Sequence, residues 1–512
     1  MDNANTLRNT KNGLLQGVIN IISNLLLPFV SRTVLIYVLG TEYLGLGGLF
    51  SSILQILSLS ELGVGAAISY MLYKPVAEND ITEVNKLLNF YRIIYRCIGV
   101  VILFFGIICI PFFPLLIKGE VPVNINLYVL YFVYLSQTVL SYFMFAYKTV
   151  LLNANQRYDI FVFIQTIIKF ISSISQIFLL LIFKSYYAYV IVLPIMVIFN
   201  NILDNFFVHK LFPMYYPHGH ITSASKKLFV KNVIGAFSTK IGETIYFSAD
   251  QLIISAILGL QTLGIYTNYY YIITSIIAIF AIIHNTLRPV LGNHINTKSL
   301  EENFSEFRII NFGYMFFISW CSVCLLCIYQ PFMELWVGKN NMFPNVVSIL
   351  FSLYFYTWGL CSVQGIYRDS AGIWWQGKYI SLIAGITNLV LNTILALKFG
   401  IKGILVSSII TSILVIFPGY TYIVFKYYFN SKGYAQKLIA DDLIYSGIVF
   451  LVAIITSLLV NLANLRGFSG FVLKLIICVF SNTIFLLLFN LWNKRLWQFL
   501  TILKKMVRKS RK

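Results

Sequence analysis

Long apolar runs recur from one end of this sequence to the other. Residues 14–38, 127–147, 309–330 and 443–463 are examples, and each run holds 20 or more residues. A helix rises 1.5 Å per residue, so about 20 residues cross the roughly 30 Å hydrocarbon core of a bilayer. A backbone in lipid must satisfy its own hydrogen bonds, and these runs lack the alternating pattern of a membrane barrel. The sequence therefore predicts an all-α polytopic membrane protein.

The composition agrees with a bilayer as the solvent. Of the 512 residues, 59% are hydrophobic and 11% are charged, whereas an ordinary soluble domain has about 25% charged residues. We predict fourteen transmembrane helices, at about 14–38, 44–72, 91–115, 127–150, 160–183, 186–208, 230–258, 263–290, 309–330, 346–367, 376–397, 403–426, 443–463 and 469–492. The first is too long for the apolar core of a cleavable signal peptide, so we expect it to remain as a helix.

The basic residues predict the orientation. With a cytoplasmic N-terminus, 27 of the 38 Lys and Arg residues fall in cytoplasmic segments and six fall outside. This is the asymmetry of the positive-inside rule, and it predicts that both termini are cytoplasmic. The net charge of +20 is dispersed through short loops, so we do not expect a nucleic-acid partner.

The C-terminal tail, residues 493–512, carries the one dense basic cluster. Leu496, Trp497, Leu500 and Leu503 fall near helical spacing among its Lys and Arg residues. The pattern predicts a basic amphipathic helix that lies in the cytoplasmic interface and binds anionic membrane lipid. It would serve either as a topological anchor or as a regulatory contact.

Metal and cofactor signals are weak. Cys321, Cys324 and Cys327 have the spacing of a cluster site but lie inside an apolar span, where buried thiols pack as small hydrophobes. His218 and His220 lie in a loop with no other ligand nearby in the sequence. We therefore expect no metal and no cofactor, and the missing G-x-x-x-x-G-K-[ST] signature indicates that this chain does not use ATP.

A short corner motif occurs twice. "VLGTEYLGLGGLF" at 38–50 and "ILGLQTLGIYTNY" at 257–269 each contain two Leu-Gly pairs, five residues apart, and the copies are 219 residues apart. A second match, Arg157-Tyr158 with Lys378-Tyr379, has an offset of 221. These offsets predict two six-helix lobes, 1–215 and 222–428, followed by two helices at 443–492 and the tail. Parallel repeats of this kind occur in transporters that alternate access by rocking one lobe against the other.

The predicted cavity lies between the first hairpins of the two lobes. A charge at mid-membrane costs about 2.5–3.5 kcal/mol, so it usually faces protein or water. The candidate site residues are the cations Arg32 and Lys240 and the polar residues Glu61, Glu243, Asp250, Asn20 and Asn24. Two other interpretations stay open: Lys240 and Glu243 can neutralise each other, and Arg32 can reach the outer headgroups.

The stretch "LGTEYLGLGGLFSSILQILSLSELGVGAAISYMLYKP", residues 39–75, resembles the first hairpin of the polysaccharide repeat-unit flippases of Gram-positive bacteria. These form the Wzx-type branch of a superfamily that includes multidrug-and-toxin extruders and lipid II flippases. The resemblance implies an undecaprenyl-pyrophosphate-linked oligosaccharide as cargo, moved from the inner to the outer leaflet of a bacterial cytoplasmic membrane for capsule or other surface polysaccharide. It also implies that Arg32 and Lys240 bind the pyrophosphate, and that a polymerase and glycosyltransferases are partners.

Two alternatives remain. A multidrug or cation antiporter of the same superfamily would have the same helices. A polysaccharide polymerase, which is an enzyme, ordinarily needs a large outer loop, and no predicted outer segment exceeds about 20 residues. We therefore expect a transporter and not an enzyme, with coupling to Na⁺ or H⁺ through Glu61, Glu243 or Asp250 left open.

Overall fold

The computed structural model describes residues 22–61, 63–119, 121–155, 157–463 and 467–510. Regular structure in these ranges is helical, with no strand, which confirms the all-α prediction. Eleven helices in the same ranges are long and apolar enough to cross a membrane, or twelve if one bent pair counts as a span. A multi-pass membrane protein is thus supported, and the total of fourteen stays a prediction.

The chain forms two compact units, Met1–Gly264 and Ile265–Lys512. The first unit contains nine principal helices within the described ranges. They are α1 Ile22–Val38, α2 Thr41–Leu57, α3 Val64–Ala77, α4 Ile81–Cys109, α5 Leu127–Phe143, α6 Thr149–Ala154, α7 Tyr158–Phe183, α8 Tyr186–Leu211 and α9 Ser223–Ile253.

The second predicted span is interrupted. Helix α2 ends at Leu57, a 3₁₀ turn covers Ser58–Glu61, and α3 begins at Val64. Gly63 lies between them with a φ of 89°, a left-handed conformation that costs a glycine little and other residues much more. The break places Glu61 at a helix end rather than within a continuous helix.

The two copies of the corner motif have the same backbone conformation. Gly40 precedes α2 with φ 108° and ψ 173°, and Gly259 has φ 93° and ψ 170°. Helix α9 ends in a π-helical turn, Ile254–Leu258, directly before Gly259. Lys118 holds this turn, because its amide donates to the Ser255 carbonyl at 3.1 Å and its Nζ donates to the Ile257 carbonyl at 2.8 Å.

The copies also meet each other inside the first unit. A Cβ atom at Gly45 would overlap the carbonyl oxygen of Leu260, and a Cβ atom at Gly264 would overlap that of Thr41. Thr41 and Leu260 are equivalent positions of the two copies, as are Gly45 and Gly264. The contact is therefore reciprocal, and each copy needs its second glycine because the other copy's backbone fills the space of a side chain.

The second unit contains the remaining helices, and α10 enters it from Leu260. They are α10 Leu260–Thr297, α11 Leu300–Val337, α12 Asn345–Ser370, α13 Trp374–Phe399, α14 Ile401–Tyr428, α15 Lys432–Asn461, α16 Gly467–Asn490 and α17 Lys494–Ser510. Helix α11 is central, since it packs against α12, α15, α16 and α17. More than half of the residues in its most apolar 18-residue stretch are buried. Its neighbours therefore largely screen α11 from lipid.

The basic tail is the helix α17, and one of its faces packs on protein. The Phe499 ring lies over Gly313 of α11, where a Cβ would clash with it, and its centroid is 6.1 Å from that of Phe317. Leu496 is also buried, whereas Trp497 and Leu500 are exposed. The apolar residues of the tail thus divide between a face that binds α11 and a face free to contact lipid.

Candidate functional site

Glu61 is a charged residue of the first unit with a hydrogen-bond partner on each carboxylate oxygen. It lies in the turn between α2 and α3 and is half-buried. Its Oε1 accepts a hydrogen bond from the Tyr95 hydroxyl of α4 at 2.7 Å. Its Oε2 accepts one from the Tyr142 hydroxyl of α5. The carboxylate therefore joins three helical segments.

The tyrosines around Glu61 form a packed group. The rings of Tyr95 and Tyr142 have centroids 5.3 Å apart, and Tyr91 meets Tyr95 edge-on at 4.4 Å. Hydrogen bonds to an ionised acceptor are about twice as strong as neutral ones, so two phenols stabilise the carboxylate well. Neither phenol carries a charge, however, and both leave the negative charge of Glu61 in place. Such a group can bind a proton or a small cation.

Arg32 lies on α1 and is half-buried. Its guanidinium acts electrostatically on the hydroxyl groups of Tyr186 and Tyr189, at the start of α8. The Tyr186 hydroxyl in turn lies 3.0 Å from that of Tyr134. Arg32 therefore lies near a group of tyrosine hydroxyls, and its role, either binding an anion or reaching the outer headgroups, stays a prediction.

Two predicted site residues, Glu243 and Asp250, lie on α9, which packs on both helices of the broken α2–α3 hairpin. Asp250 is buried and Glu243 is half-buried. One turn of α9 contacts α2 directly, since the buried Ser248 hydroxyl donates to Oε1 of Gln55 at 3.2 Å. Asp250 thus lies two residues from a polar contact between the two helices.

The other predicted site residues are less constrained by the structure. Asn24 is exposed on α1. Lys240 is in α9, but its side chain is outside the described part of the chain, and Asn20 lies outside it altogether. The proposal that Arg32 and Lys240 bind the same anion therefore stays a prediction.

Arg32 and Glu61 lie at different depths of the first unit. Arg32 is six residues before the end of α1, whereas Glu61 follows the 17 residues of α2. At a rise of about 1.5 Å per residue, the first distance is about 9 Å and the second is more than about 25 Å. The structure therefore does not bring these two predicted site residues together.

A groove of about 900 Å³ lies between α11, α12 and α15 in the second unit. Its middle is apolar, with Leu326, Ile349 and Phe450 among the lining residues. Its polar end carries Asn345, the first residue of α12, and Asn461, the last residue of α15, together with Gln330 and Lys474. From Asn461 to Ser446 the groove follows α15 for 15 residues, about 22 Å.

A second charged cluster joins α10 to α12. Asp369 accepts from Nε of Arg368 at 3.0 Å and from Nη2 at 2.8 Å. It also accepts from the Arg288 guanidinium, and His284 Nε2 lies 3.9 Å away. Arg368 is buried, and its guanidinium lies 4.5 Å from the centroid of the Tyr420 ring. Two arginines on one carboxylate make this cluster electropositive.

Comparisons with known proteins identify the fold. No protein-family model and no curated protein matches the sequence. Among solved structures, the chain is similar to the lipid II flippase MurJ in an inward closed conformation, with 16% identity and a TM-score of 0.66. That match covers 93% of this chain and 99% of MurJ.

Multidrug transporters give similar matches. An inward-facing MATE transporter of the MOP superfamily has 12% identity and a TM-score of 0.63, covering 84% of this chain and 99% of its own. The eukaryotic MATE transporter AtDTX14 has 13% identity and a TM-score of 0.55, covering 85% and 98%. At these identities the likeness shows the fold alone, which this chain shares with MurJ and the MATE transporters. The branch and the cargo are matters for proposal.

Sequence reasoning missed several residues of these sites. Tyr95 and Tyr142 gave no signal, because a tyrosine in an apolar run is ordinary and nothing in the sequence identifies α4 and α5 as neighbours of Glu61. Lys474 was visible as a charge within a predicted span, which is a signal for function. The groove beside it depends on how α11, α12 and α15 pack, and no local pattern encodes that.

Proposed function

We propose that this protein flips undecaprenyl-pyrophosphate-linked oligosaccharide repeat units from the inner to the outer leaflet of a bacterial cytoplasmic membrane. The observation that carries the proposal is the groove of about 900 Å³, about 22 Å long along α15, with an apolar middle and Lys474 at its polar end. A cargo with a long apolar chain and an anionic headgroup matches both parts. The similarity in fold to a lipid II flippase supports the same class of cargo.

The headgroup needs cations and water. A pyrophosphate cannot enter bare hydrocarbon without a large desolvation cost, and charge-assisted hydrogen bonds from basic side chains offset it. We propose Arg32 and Lys240 as residues that bind the pyrophosphate. We propose separately that the groove of the second unit binds the prenyl chain. Alternating access of two lobes then moves the headgroup across the membrane.

The energy source is a separate part of the proposal. An inside-negative potential drives an anion outward, by roughly 4–5 kcal/mol per 100 mV for two charges. Export therefore needs no obligatory ion coupling if the charges of the protein stay in place. If coupling exists, Glu61 is the first candidate, because neutral phenols bind its carboxylate, and Glu243 and Asp250 follow.

A multidrug or cation antiporter is the second candidate. The MATE structures share the fold, and a carboxylate held by neutral groups, such as Glu61, is suited to exchange a proton or Na⁺ for a cationic drug. This alternative has no use for a long groove with a lysine at its end, which is why we place it second.

Reconstitution separates the two functions. Purified protein in liposomes would receive a labelled undecaprenyl-pyrophosphate-linked oligosaccharide, and the labelled sugar exposed to an impermeant enzyme outside would be followed with time. We expect exposure to accelerate with protein, and to slow when the imposed potential is reversed. Parallel liposomes loaded with a cationic dye under a proton or Na⁺ gradient test the antiporter. Dye transport without sugar exposure would contradict the flippase.

The proposed flippase would act together with other proteins and with lipids of the same membrane. A surface-polysaccharide pathway would place glycosyltransferases before this step and a polymerase after it, as partners in the same membrane. The exposed face of α17, with Trp497 and Leu500, would rest on anionic lipid of the cytoplasmic leaflet. Pull-down of a polymerase and the effect of gene deletion on surface polymer test the pathway.

A further inference from the structure

A second cavity, of about 580 Å³, lies at the other end of the second unit. We call it the tail pocket, and its lining includes Phe304, Arg308, Lys437, Lys494 and Arg495. The N-terminal parts of three helices supply these residues, since α11 begins at Leu300, α15 at Lys432 and α17 at Lys494. We propose that the tail pocket binds the phosphate headgroup of an anionic phospholipid of the adjacent leaflet.

The charges of the tail pocket favour an anion. Four basic side chains line it, those of Arg308, Lys437, Lys494 and Arg495, against one acidic lining residue, Glu301. The first turn of α17, which carries Lys494 and Arg495, adds the partial positive charge of a helix N-terminus.

Asp441 organises this positive surface. Its Oδ2 accepts from Nε of Arg308 at 2.8 Å, and its Oδ1 accepts from Nη2 of Arg308 at 3.0 Å and of Arg495 at 2.8 Å. One carboxylate thus positions two guanidiniums and neutralises only one positive charge. With Asp441 and Glu301 counted against the four basic groups, the pocket keeps two formal positive charges.

The walls of the pocket are rigid. The rings of Phe304 and Tyr434 are stacked, with centroids 3.9 Å apart and planes at 4°. The Arg308 guanidinium lies 5.8 Å from the Phe304 ring centroid, and only about a quarter of its side chain is exposed. Together with Asp441, these contacts hold Arg308 and Arg495 before any ligand arrives, which lowers the entropy cost of binding.

The surroundings of the pocket select a lipid over a soluble anion. Trp492 lines the pocket and is 95% exposed, while Trp497 and Leu500 are exposed on the helix that follows. Exposed tryptophans of membrane proteins concentrate at the boundary between headgroups and hydrocarbon. A phospholipid can place its phosphate among the basic groups and its glycerol and acyl chains against this apolar rim, whereas a free phosphate uses the charges alone.

Bound lipid would join α11, α15 and α17 at one point. This gives the basic tail a defined binding site in addition to diffuse attraction by its many Lys and Arg residues. The inference goes beyond the proposed transport and does not depend on which cargo is carried.

Native mass spectrometry of the full-length protein tests the proposal. The protein would be taken from nanodiscs of phosphatidylcholine with 20% phosphatidylglycerol, a composition of about one anionic lipid in five. The pocket variant is Lys437→Gln with Lys494→Gln. The control is Lys432→Gln with Lys504→Gln, which removes the same charge from exposed positions of α15 and α17 that do not line the pocket. We expect retention of phosphatidylglycerol to fall about tenfold in the pocket variant and less than about twofold in the control.

If the retention of phosphatidylglycerol falls equally in both variants, or falls in neither, the proposal is overturned in favour of diffuse electrostatic attraction. A second measurement does not depend on the folding of the charge variants. It follows the fluorescence of Trp492, taken as the difference between the native protein and Trp492→Phe. Brominated phosphatidylglycerol should quench this fluorescence more strongly than brominated phosphatidylcholine does, and inorganic phosphate should not displace the brominated phosphatidylglycerol. Equal quenching by both lipids, or displacement by phosphate, would show that the pocket is not a phospholipid site.

Discussion

Glu61 illustrates how a single charged residue is accommodated within the first unit. Its carboxylate has one phenol on each oxygen, from Tyr95 and Tyr142. Removing either hydroxyl leaves an oxygen of a half-buried carboxylate with one donor fewer. A hydrogen bond to a charged group contributes about 1.5–3 kcal/mol. The cost of each deletion therefore depends on how well water replaces the lost phenol.

We predict that Tyr95→Phe and Tyr142→Phe each lower the free energy of unfolding by about 1.5–3 kcal/mol. Denaturation by dodecyl sulfate in mixed micelles would measure the change. Tyr128→Phe is the matched control, because Tyr128 is on α5 like Tyr142 but is 52% exposed. When Glu61 is already replaced by Gln, Tyr95→Phe and Tyr142→Phe should each lower the free energy of unfolding by less than in the native protein. Equal costs in both backgrounds would mean that the phenols do not act through the carboxylate.

Substitution of Arg32 can distinguish a role in binding the cargo from a role in anchoring the helix at the headgroups. We predict that Arg32→Ala abolishes transport of the lipid-linked sugar while the amount of protein in the membrane stays unchanged, and that Arg32→Lys keeps a part of the activity because it keeps a cation. The liposome assay and quantitative immunoblotting of membranes give the two readings. Normal transport by Arg32→Ala would return Arg32 to the role of a side chain that only reaches toward headgroups.

At the scale of elements, the two Leu-Gly corners form one structural unit. Each brings a helix end close to the backbone of the other copy, so that no side chain fits at Gly45 or Gly264. Helix α9 is thereby packed tightly on the α2–α3 hairpin, and Glu61 and Asp250 lie in elements that contact each other. The repeat matters for function because it holds the acidic residues of the first unit in neighbouring elements.

We predict that Gly45→Ala and Gly264→Ala each destabilise the protein by at least about 1–3 kcal/mol, because the added methyl group overlaps a backbone carbonyl that cannot move independently. Thermal unfolding in detergent measures the effect. Gly447→Ala is the control, since nothing lies within 4 Å of a Cβ built at that helical glycine, and it should be neutral or stabilising by up to about 1 kcal/mol. A stability equal to that of the control would mean that the corners do not pack as described.

At the scale of the whole molecule, the proposed function assigns the cargo's prenyl chain to the groove of the second unit. A side chain that fills the groove should then slow the transport of a prenyl-linked substrate. It should leave the transport of a small soluble substrate unaffected. Filling the groove therefore tests which class of cargo the protein carries, and not only whether the protein is active.

We predict that Ala453→Trp lowers the rate of sugar exposure in liposomes at least about tenfold, because the indole ring occupies the apolar middle of the groove. Leu451→Trp is the control: Leu451 is also on α15, is exposed and does not line the groove. Its rate should remain within about twofold of the native rate. Equal rates for Ala453→Trp and the control would remove the groove from the mechanism and favour the antiporter.

Much of the fold was legible in the sequence, because bilayer solvation acts on each segment separately. An apolar run of about 20 residues must become a helix wherever it lies in the chain, and Gly40 and Gly259 mark helix corners by a local conformational preference. Glu61, Glu243 and Asp250 stood out as costly charges for the same reason. None of these inferences requires knowledge of which helices are neighbours.

The contacts within the candidate sites depend on which helices pack against each other. The sequence by itself determined that this is a helical membrane protein, where its charges fall along the chain, and that one corner is written twice. Only the tertiary structure decided that Tyr95 and Tyr142 bind Glu61, that Phe499 fixes the tail on α11, and that Lys474 stands at the end of an apolar groove. The physical reason is that apolar helices in lipid have no strong sequence signal for their partners, because lipid and a leucine-rich helix are nearly equivalent surroundings.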